Sequence, residues 1–168
     1  GTENFCMDLI EDPDYAEELM DYLVEAIIFR LKGLWKHFNF DTTVKNFGFA
    51  DDSIALLSTD MYEEMIFPYH KKLITGLVKD FDSSVNSIHL CGNAQRHFKF
   101  LQENLHIHSF DTGYPVNFKK MVMDLNPNIV RINGGVRCDD LMQKTPEEIA
   151  KETKRIMDEV MPYTDRFV

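Results

Sequence analysis

The order of helix-like and strand-like patterns along the chain constrains its fold more than any single motif does. An amphipathic helix pattern over residues 14–38 comes first, and strand and helix patterns then alternate four times. Such alternation predicts parallel strands joined by right-handed crossover helices, which is an α/β fold. The predicted strands span 44–49, 85–91, 106–111 and 129–133, and the helices after them span 58–80, 95–105, 116–125 and the segment that starts at 145.

Two of the predicted helices carry signals for where they begin. Thr145 with Glu148 three residues later predicts a capping box, in which each side chain satisfies a main-chain N–H of the first turn. Asp60 and Glu63 have the same spacing near the start of the helix that follows the first strand. Pro68 removes a main-chain donor within that helix, so we expect the helix to kink or split there.

The length of the chain limits how much of such a fold it can form. Its 168 residues supply about four strand–helix units, whereas a complete (β/α)8 barrel takes about 250 residues. The chain is therefore expected to form either half of a barrel or a small open α/β sheet, in one domain over residues 1–168. Segment 161–168 has the pattern of a helix end that leads into a further strand, which favours a barrel fragment.

Charge and cysteine content exclude several classes of function. Asp and Glu outnumber Lys and Arg by 28 to 18, and the formal net charge of −10 disfavours binding to nucleic acids and to anionic membrane surfaces. No apolar run approaches the ~20 residues that span a bilayer, and the sequence does not start with the pattern of a secretory signal. Three cysteines at irregular spacing form a poor disulfide framework. These features predict a cytoplasmic protein.

One predicted strand ends in residues that can bind a metal. Strand side chains alternate between faces, so Ile88 and Leu90 share one face while Ser87, His89 and Cys91 share the other. Two ligands at this spacing lie about 7 Å apart along the strand and can converge on one ion. Mixed imidazole and thiolate ligation suits zinc, and the carboxyl end of a strand is where barrel enzymes build their sites. The alternative is a buried His and Cys that complete a core strand.

Polar residues at the ends of the other predicted strands are further candidates. Asp51 and Asp52 follow the first strand, where one of them either faces the site or caps the next helix, and Asp52 is the candidate taken for the site. Asp111 ends the third strand. Of these three residues, Asp52 and Asp111 are the candidates for chemistry. We assign both as candidate catalytic residues that orient substrate or the imidazole of His89. Asn93 and Arg131 are candidate substrate-binding residues, although Arg131 also suits a surface ion pair.

Three further histidines suit structural roles. His106 and His108 alternate on one predicted strand, which resembles a metal pair, but no third ligand converges on them and a half-exposed strand is the preferred explanation. His97 lies on a predicted helix and is expected to be solvated.

Several motifs, in order along the chain, resemble one known family. The segment from His89 to Asn93 resembles the HxCGN segment of the methylcobalamin-dependent methyltransferase branch of the uroporphyrinogen decarboxylase superfamily. The stretch from Leu57 to Leu73 is similar to the family's LSPxxYEEFxxPYxKKL helix, and Gly134 to Ile149 resembles its GG(V/N)xxxxLxxGTPEEI stretch. The likeness covers most of the chain and corresponds to the C-terminal half of the family barrel.

The resemblance implies a (β/α)8 barrel with its site at the carboxyl ends of the strands. In the methyltransferase branch the HxC residues bind zinc together with a later Cys, and the zinc activates a thiol that accepts a methyl group from a corrinoid protein. The resemblance therefore implies zinc ligands at His89 and Cys91, with methylcobalamin on a partner corrinoid protein. The family's last Cys is expected beyond Val168, and Cys138 is a substitute candidate for it, or else an ordinary loop cysteine.

Two other functions remain open from the sequence. The decarboxylase branch of the superfamily is metal-free and acts on a porphyrinogen in haem biosynthesis. A third possibility is a truncated half-barrel without a complete site. An unpaired half-barrel exposes sheet edges and apolar helix faces, so we expect the isolated chain to form homo-oligomers.

Overall fold

The computed structural model describes residues 1–168, and the chain divides into two compact units. The first, which we call the helical unit, comprises Gly1–Phe47 and Leu57–Val85. The second, the sheet unit, comprises Gly48–Leu56 and Asn86–Val168. No helix in either unit combines the length and the apolar character that a membrane span requires.

Helices dominate the helical unit. Its longest element starts at a proline whose missing N–H costs nothing in a first turn, and the side chain of Asp12 caps that turn by accepting a hydrogen bond from the Tyr15 N–H at 3.2 Å. Outside the helices, Val44 and Val78 form an isolated parallel bridge. The helices are α1 (Thr2–Glu11), α2 (Pro13–His37), α3 (Thr59–Met61) and α4 (Phe67–Leu77), with a π-helical turn at Tyr62–Ile66.

The start of α3 differs from the capping box expected at Asp60 and Glu63, and that prediction is wrong. Ser58 is the cap, and its hydroxyl accepts a hydrogen bond from the Met61 N–H at 3.2 Å. The interruption expected at Pro68 takes the form of the π-helical turn directly before it. Because Pro68 has no N–H to continue the regular ladder, the main chain widens by one residue before α4 begins.

The core of the helical unit forms where α2 packs against α4. Val24, Leu73 and Leu77 are buried there, and each such side chain contributes about 1.5–3 kcal/mol when fully removed from water. Gly76 permits the close approach, because a Cβ at that position would lie 2.5 Å from Cδ1 of Ile28. The half-buried residues that surround this core are Ile28, Leu31, Trp35, Phe47 and Tyr69.

The sheet unit is a four-stranded parallel sheet with the strands in sequential order, β1-β2-β3-β4. Phe167 forms one more parallel bridge, with Ile132 of the last strand. Segment 161–168 therefore ends in an extended, paired residue, as its pattern predicts. The strands are β1 (Gly48–Ala50), β2 (Asn86–Leu90), β3 (Ile107–Thr112) and β4 (Arg131–Asn133). The helices are 3-10 turns at Asp52–Leu56 and Gln95–His97, then α5 (Phe98–Leu105), α6 (Phe118–Asp124), α7 (Cys138–Gln143) and α8 (Pro146–Val160).

The predicted α/β fold with parallel strands is confirmed. Sequential order without a reversal is the order of neighbouring strands in a (β/α)8 barrel, whereas open doubly wound sheets reverse direction at a switch point. The capping box at the start of α8 is also confirmed: Thr145 Oγ1 accepts from the Glu148 N–H at 3.3 Å, and Glu148 accepts from the Thr145 N–H at 2.9 Å.

The register of the sheet places four residues in one row across the strands. Ala50 pairs with His89, His89 with Asp111, and Asp111 with Asn133. The pairing of β2 with β3 has one irregularity before this row. Between Asn86 and the next residue of β2 the register shifts, because β3 contains one extra residue there. The row lies near the carboxyl ends of the strands.

Candidate metal centre

The alternation predicted for β2 is present in the structure. Ile88 and Leu90 are buried, whereas His89 is half-exposed and Cys91 is exposed. Gly92 follows with φ of +83°, a left-handed conformation that favours glycine, and the chain turns away directly after the thiol. The strand therefore ends with an imidazole and a thiol on its open face.

A carboxylate from the β1 end approaches both of these side chains. Asp52 Oδ1 accepts a hydrogen bond from the Cys91 N–H at 2.7 Å and lies 3.9 Å from His89 Nε2. Its neighbour Asp51 instead caps the 3-10 turn, accepting from the Ser53 N–H at 3.0 Å. Asp52 therefore faces the site and Asp51 caps the turn, so each of the two roles expected for this pair is filled by one of its members.

Asp111 holds the other side of the imidazole. Its Oδ2 lies 2.8 Å from His89 Nδ1, and because a carboxylate only accepts, Nδ1 carries the proton and donates. In a neutral imidazole Nε2 then carries no proton and accepts from the thiol of Cys91, whose Sγ lies 3.2 Å away. This tautomer directs the imidazole lone pair toward the sulfur.

Three donor atoms therefore converge at this end of the sheet. One ligand atom each from Asp52, His89 and Cys91 lies within 4.8 Å of the others. In a tetrahedral zinc site, bond lengths of ~2.0 Å to N or O and ~2.3 Å to S place the donors about 3.3–3.5 Å apart. The observed separation of 3.2 Å between Nε2 and Sγ is close to this range. The separation of 3.9 Å between Nε2 and Oδ1 is longer, so the Asp52 carboxylate would move inward to bind the same ion.

The electrostatics of the site also favour a cation. The pKa of the Cys91 thiol is raised, first by burial and then by the negative charges of Asp52, Asp111 and Cys138. The thiol therefore stays protonated at neutral pH while no positive charge is present. A divalent cation would reverse this balance, because it pairs with the same acidic groups and favours the thiolate.

The remaining predicted site residues lie outside the three-donor cluster. Cys138 is the first residue of α7 and is exposed. Asn93 is exposed in the turn after β2, where its carbonyl oxygen accepts a hydrogen bond from Arg96 at 2.5 Å. Arg131 is exposed on β4 and donates to Oδ1 of Asn133 at 3.1 Å, so it contacts its own strand.

Sequence reasoning overlooked Asp52 as a member of the donor set. It placed Asp52 near the site only as an orienting or capping carboxylate. The signal available was its position directly after β1, the strand that neighbours β2 in a sequential parallel sheet, because neighbouring parallel strands end at the same edge. His97 is a clear error: it is fully buried, and its Nε2 bonds the Ile54 carbonyl oxygen at 3.0 Å.

His106 is also misplaced by the sequence pattern. It caps the end of α5 in a left-handed conformation, with φ of 51°, and does not belong to β3. His108 lies on β3 and is half-buried. The two residues therefore do not form the strand-borne pair that their spacing indicated.

A polar cleft lies at the same end of the sheet. It has a volume of about 460 Å³ and is formed by the segments after β3 and β4 together with α8. The Arg137 guanidinium stacks 3.9 Å from the ring centroid of Tyr114 at one wall, and Arg155 lies at another. The cleft shares no lining residue with the donor cluster.

Comparison with known proteins decides the family. The model of the uroporphyrinogen decarboxylase (URO-D) family matches residues 1–168. The chain belongs to the uroporphyrinogen decarboxylase family. No curated protein matches it significantly. The family implies a TIM barrel, and the sequential parallel sheet agrees with part of one.

Proposed function

We propose that this member of the uroporphyrinogen decarboxylase family is a zinc-dependent methyltransferase that moves a methyl group from a corrinoid protein to a thiol. The observation that carries the proposal is the convergence of His89 Nε2, Cys91 Sγ and Asp52 Oδ1 at the end of β2. In this proposal Asp52 is the third ligand, in place of Cys138, which was the candidate from the sequence. A bound zinc would lower the pKa of a substrate thiol and hold it as the thiolate at neutral pH.

The chain's own residues prepare the site for that role. Asp111 fixes the tautomer and the ring orientation of His89 by accepting from Nδ1, which is the usual partner of a metal-binding imidazole. The main-chain N–H of Cys91 fixes the Asp52 carboxylate at 2.7 Å. Both acids therefore hold a set geometry without an ion, which reduces the reorganisation that binding requires.

The polar cleft beside the donor cluster supports a small-molecule acceptor. One wall offers the Arg137–Tyr114 stack, which suits a planar group on the substrate. At the other wall Arg155 is paired with Glu152 and Glu159, so its charge is already balanced. We assign the acceptor's non-reacting part to this cleft and its thiol to the donor cluster. The sequence-derived roles of Asn93 and Arg131 in substrate binding remain predictions.

The decisive experiment compares metal content in matched variants. Elemental analysis should find near-stoichiometric zinc in the purified chain and none in the His89→Ala/Cys91→Ala variant. The control is His37→Ala/Cys6→Ala, which removes the same two residue types from the helical unit and should retain the metal. Circular dichroism of all three proteins establishes that each is folded.

Cobalt substitution adds a readout that does not depend on activity. A thiolate bound to Co²⁺ gives a charge-transfer band, which should disappear in Cys91→Ser and persist in Cys138→Ser. Loss of the band in Cys138→Ser alone would make Cys138 the thiolate ligand in place of Cys91. Absence of metal from the folded wild-type chain would contradict the proposal and favour the metal-free decarboxylase or an incomplete site.

A further inference from the structure

The outward face of α2 carries an apolar stripe that nothing in the chain covers. Tyr15, Tyr22, Ala26, Phe29 and Gly33 are all exposed, and Tyr22 and Phe29 are 70% and 81% exposed. Their spacings of seven, four, three and four residues place them on one side of the helix. Large aromatic side chains exposed in a continuous stripe mark a contact surface more often than an ordinary solvated face.

The stripe is separate from the face that α2 uses within its own unit. The core-facing side packs Val24 and its neighbours Ile28 and Leu31 against α4. At 100° per residue, Tyr22 lies roughly opposite Val24 on the helix. The helix therefore has an uncovered apolar stripe besides its core face, and Leu23, Ile27 and Leu34, which are also exposed, lie between the two.

The charges along α2 are divided between its two halves. Acidic side chains occupy the N-terminal half and basic side chains the C-terminal half. One flank of the stripe carries Asp14 and Glu18, and the same flank carries Lys32 and Lys36 further along. None of these four makes an ion pair within the chain. The acids of the first half are Asp14, Glu17, Glu18, Asp21 and Glu25, and the bases of the second are Arg30, Lys32, Lys36 and His37.

We propose that the α2 stripe binds the α2 stripe of a second copy of this chain, antiparallel, about a two-fold axis near residue 25. The two-fold axis makes the partner helix run in the opposite direction. Each flank of the stripe then lies beside the same flank of the partner's stripe. Residues equally far from the axis then meet: Glu18 faces the partner's Lys32, and Asp14 faces the partner's Lys36. A parallel pair would instead place the acidic half of one helix beside the acidic half of the other, and the basic half beside the basic half.

The proposal is independent of the metal chemistry, because all the residues that carry it lie in the helical unit. It goes beyond the general expectation of self-association, since it names one surface and one orientation. It also explains the length of the stripe. Five exposed positions over residues 15–33 extend for about 27 Å at 1.5 Å per residue, which is enough for a helix pair with several layers of side chains.

The first test is the oligomeric state of the full chain. Sedimentation velocity should show a reversible dimer, and Phe29→Asp should weaken it by 100-fold or more, because a charge replaces an aromatic residue at the centre of the contact. The control is Met142→Asp, which places the same charge at a residue of α7 that is 91% exposed and should leave the dimer unchanged. A monomer at all concentrations, or association that survives Phe29→Asp, would overturn the proposal.

A charge exchange tests the pairing. Glu18→Lys and Lys32→Glu should each weaken the dimer by about tenfold, because each places like charges together. The double variant should recover most of the wild-type affinity, since it restores both pairs with reversed polarity. Glu147→Lys on α8 is the control for net charge. Additive losses in the double variant would contradict the antiparallel register.

Disulfide trapping tests the orientation directly. Ala26→Cys lies near the proposed axis, so two copies should cross-link efficiently under mild oxidation. Tyr15→Cys should not, because the two copies of that residue would be about 30 Å apart at 1.5 Å per residue, whereas a disulfide requires Cα atoms within about 7 Å. Efficient cross-linking at both positions would indicate a parallel pair and reject the proposal.

Discussion

His89 and His97 lie in the same unit of the fold and have opposite surroundings. His89 is 42% exposed and lies between a carboxylate and a thiol. His97 is fully buried, and its Nε2 is bonded to the carbonyl oxygen of Ile54. The first imidazole is arranged so that its Nε2 lone pair faces other donors, whereas the second ties a helix start to the 3-10 turn after β1. The contrast indicates that accessibility and partner type, more than residue type, separate a chemical histidine from a structural one.

The largest expected difference between them is in stability. Replacing His97 with Ala should lower the free energy of unfolding by about 3 kcal/mol, or about 100-fold in the folding equilibrium, because it leaves a cavity and an unpaired buried carbonyl. In metal-free protein His89→Ala should cost less than about 1 kcal/mol, since that side chain is largely solvated. Urea denaturation of both variants measures the difference. Equal losses would contradict the roles assigned to the two histidines.

The next effect concerns the carboxylate that positions His89. Asp111→Asn should weaken zinc binding by about 10- to 100-fold, because the amide holds the imidazole less firmly and removes a negative charge from the site. The same change should lower the pKa of Cys91, since the Asp111 charge helps to raise it. Competition with a chromophoric chelator gives the affinity, and thiolate absorbance gives the titration. Asp165→Asn, at an exposed residue of the C-terminal segment, is the matched control. An unchanged affinity together with an unchanged Cys91 titration would exclude a positioning role.

The smallest effect concerns His108, which is half-buried and so is more exposed than His97. Its pKa is lowered, first by burial and then by the charge of His106. The unfolded chain therefore takes up a proton at a higher pH than the folded chain does, and stability should fall as the pH drops below about 6.5. His108→Asn should flatten this dependence between about pH 7.5 and about pH 5.5. Denaturant midpoints at the two values measure it, and an identical slope in the variant would assign the effect to another group.

The sequence was sufficient for the elements whose pattern is local. The regular alternation on β2 predicted which side chains face the site, and Thr145 with Glu148 predicted the start of α8. The order of the elements predicted the parallel sheet. These features depend on neighbours within a few residues, so the chain carries their signal directly.

The parts that were missed depend on contacts between distant segments or on weak local signals. Helices α1 and α7 were not predicted, because each is short and weakly patterned. The burial of His97 depends on Ile54, which is far away along the chain. The inclusion of Asp52 with the donors depends on the pairing of β1 with β2. A single sequence shows which residues are present, but which of them lie close together depends on how the strands pair in the sheet.

The one-residue irregularity between β2 and β3 determines which way the end of β3 faces. In an uninterrupted strand, Ile107 and Asp111 would point to the same side, since they are an even number of residues apart. The structure instead buries Ile107 completely and leaves Asp111 exposed beside His89. The extra residue reverses the alternation of side chains along β3. Ile107 at the beginning of the strand therefore faces the core, and Asp111 near its end faces the site. With regular pairing, the same sequence would have to expose an isoleucine or bury a carboxylate, and either outcome would separate the acid from its imidazole.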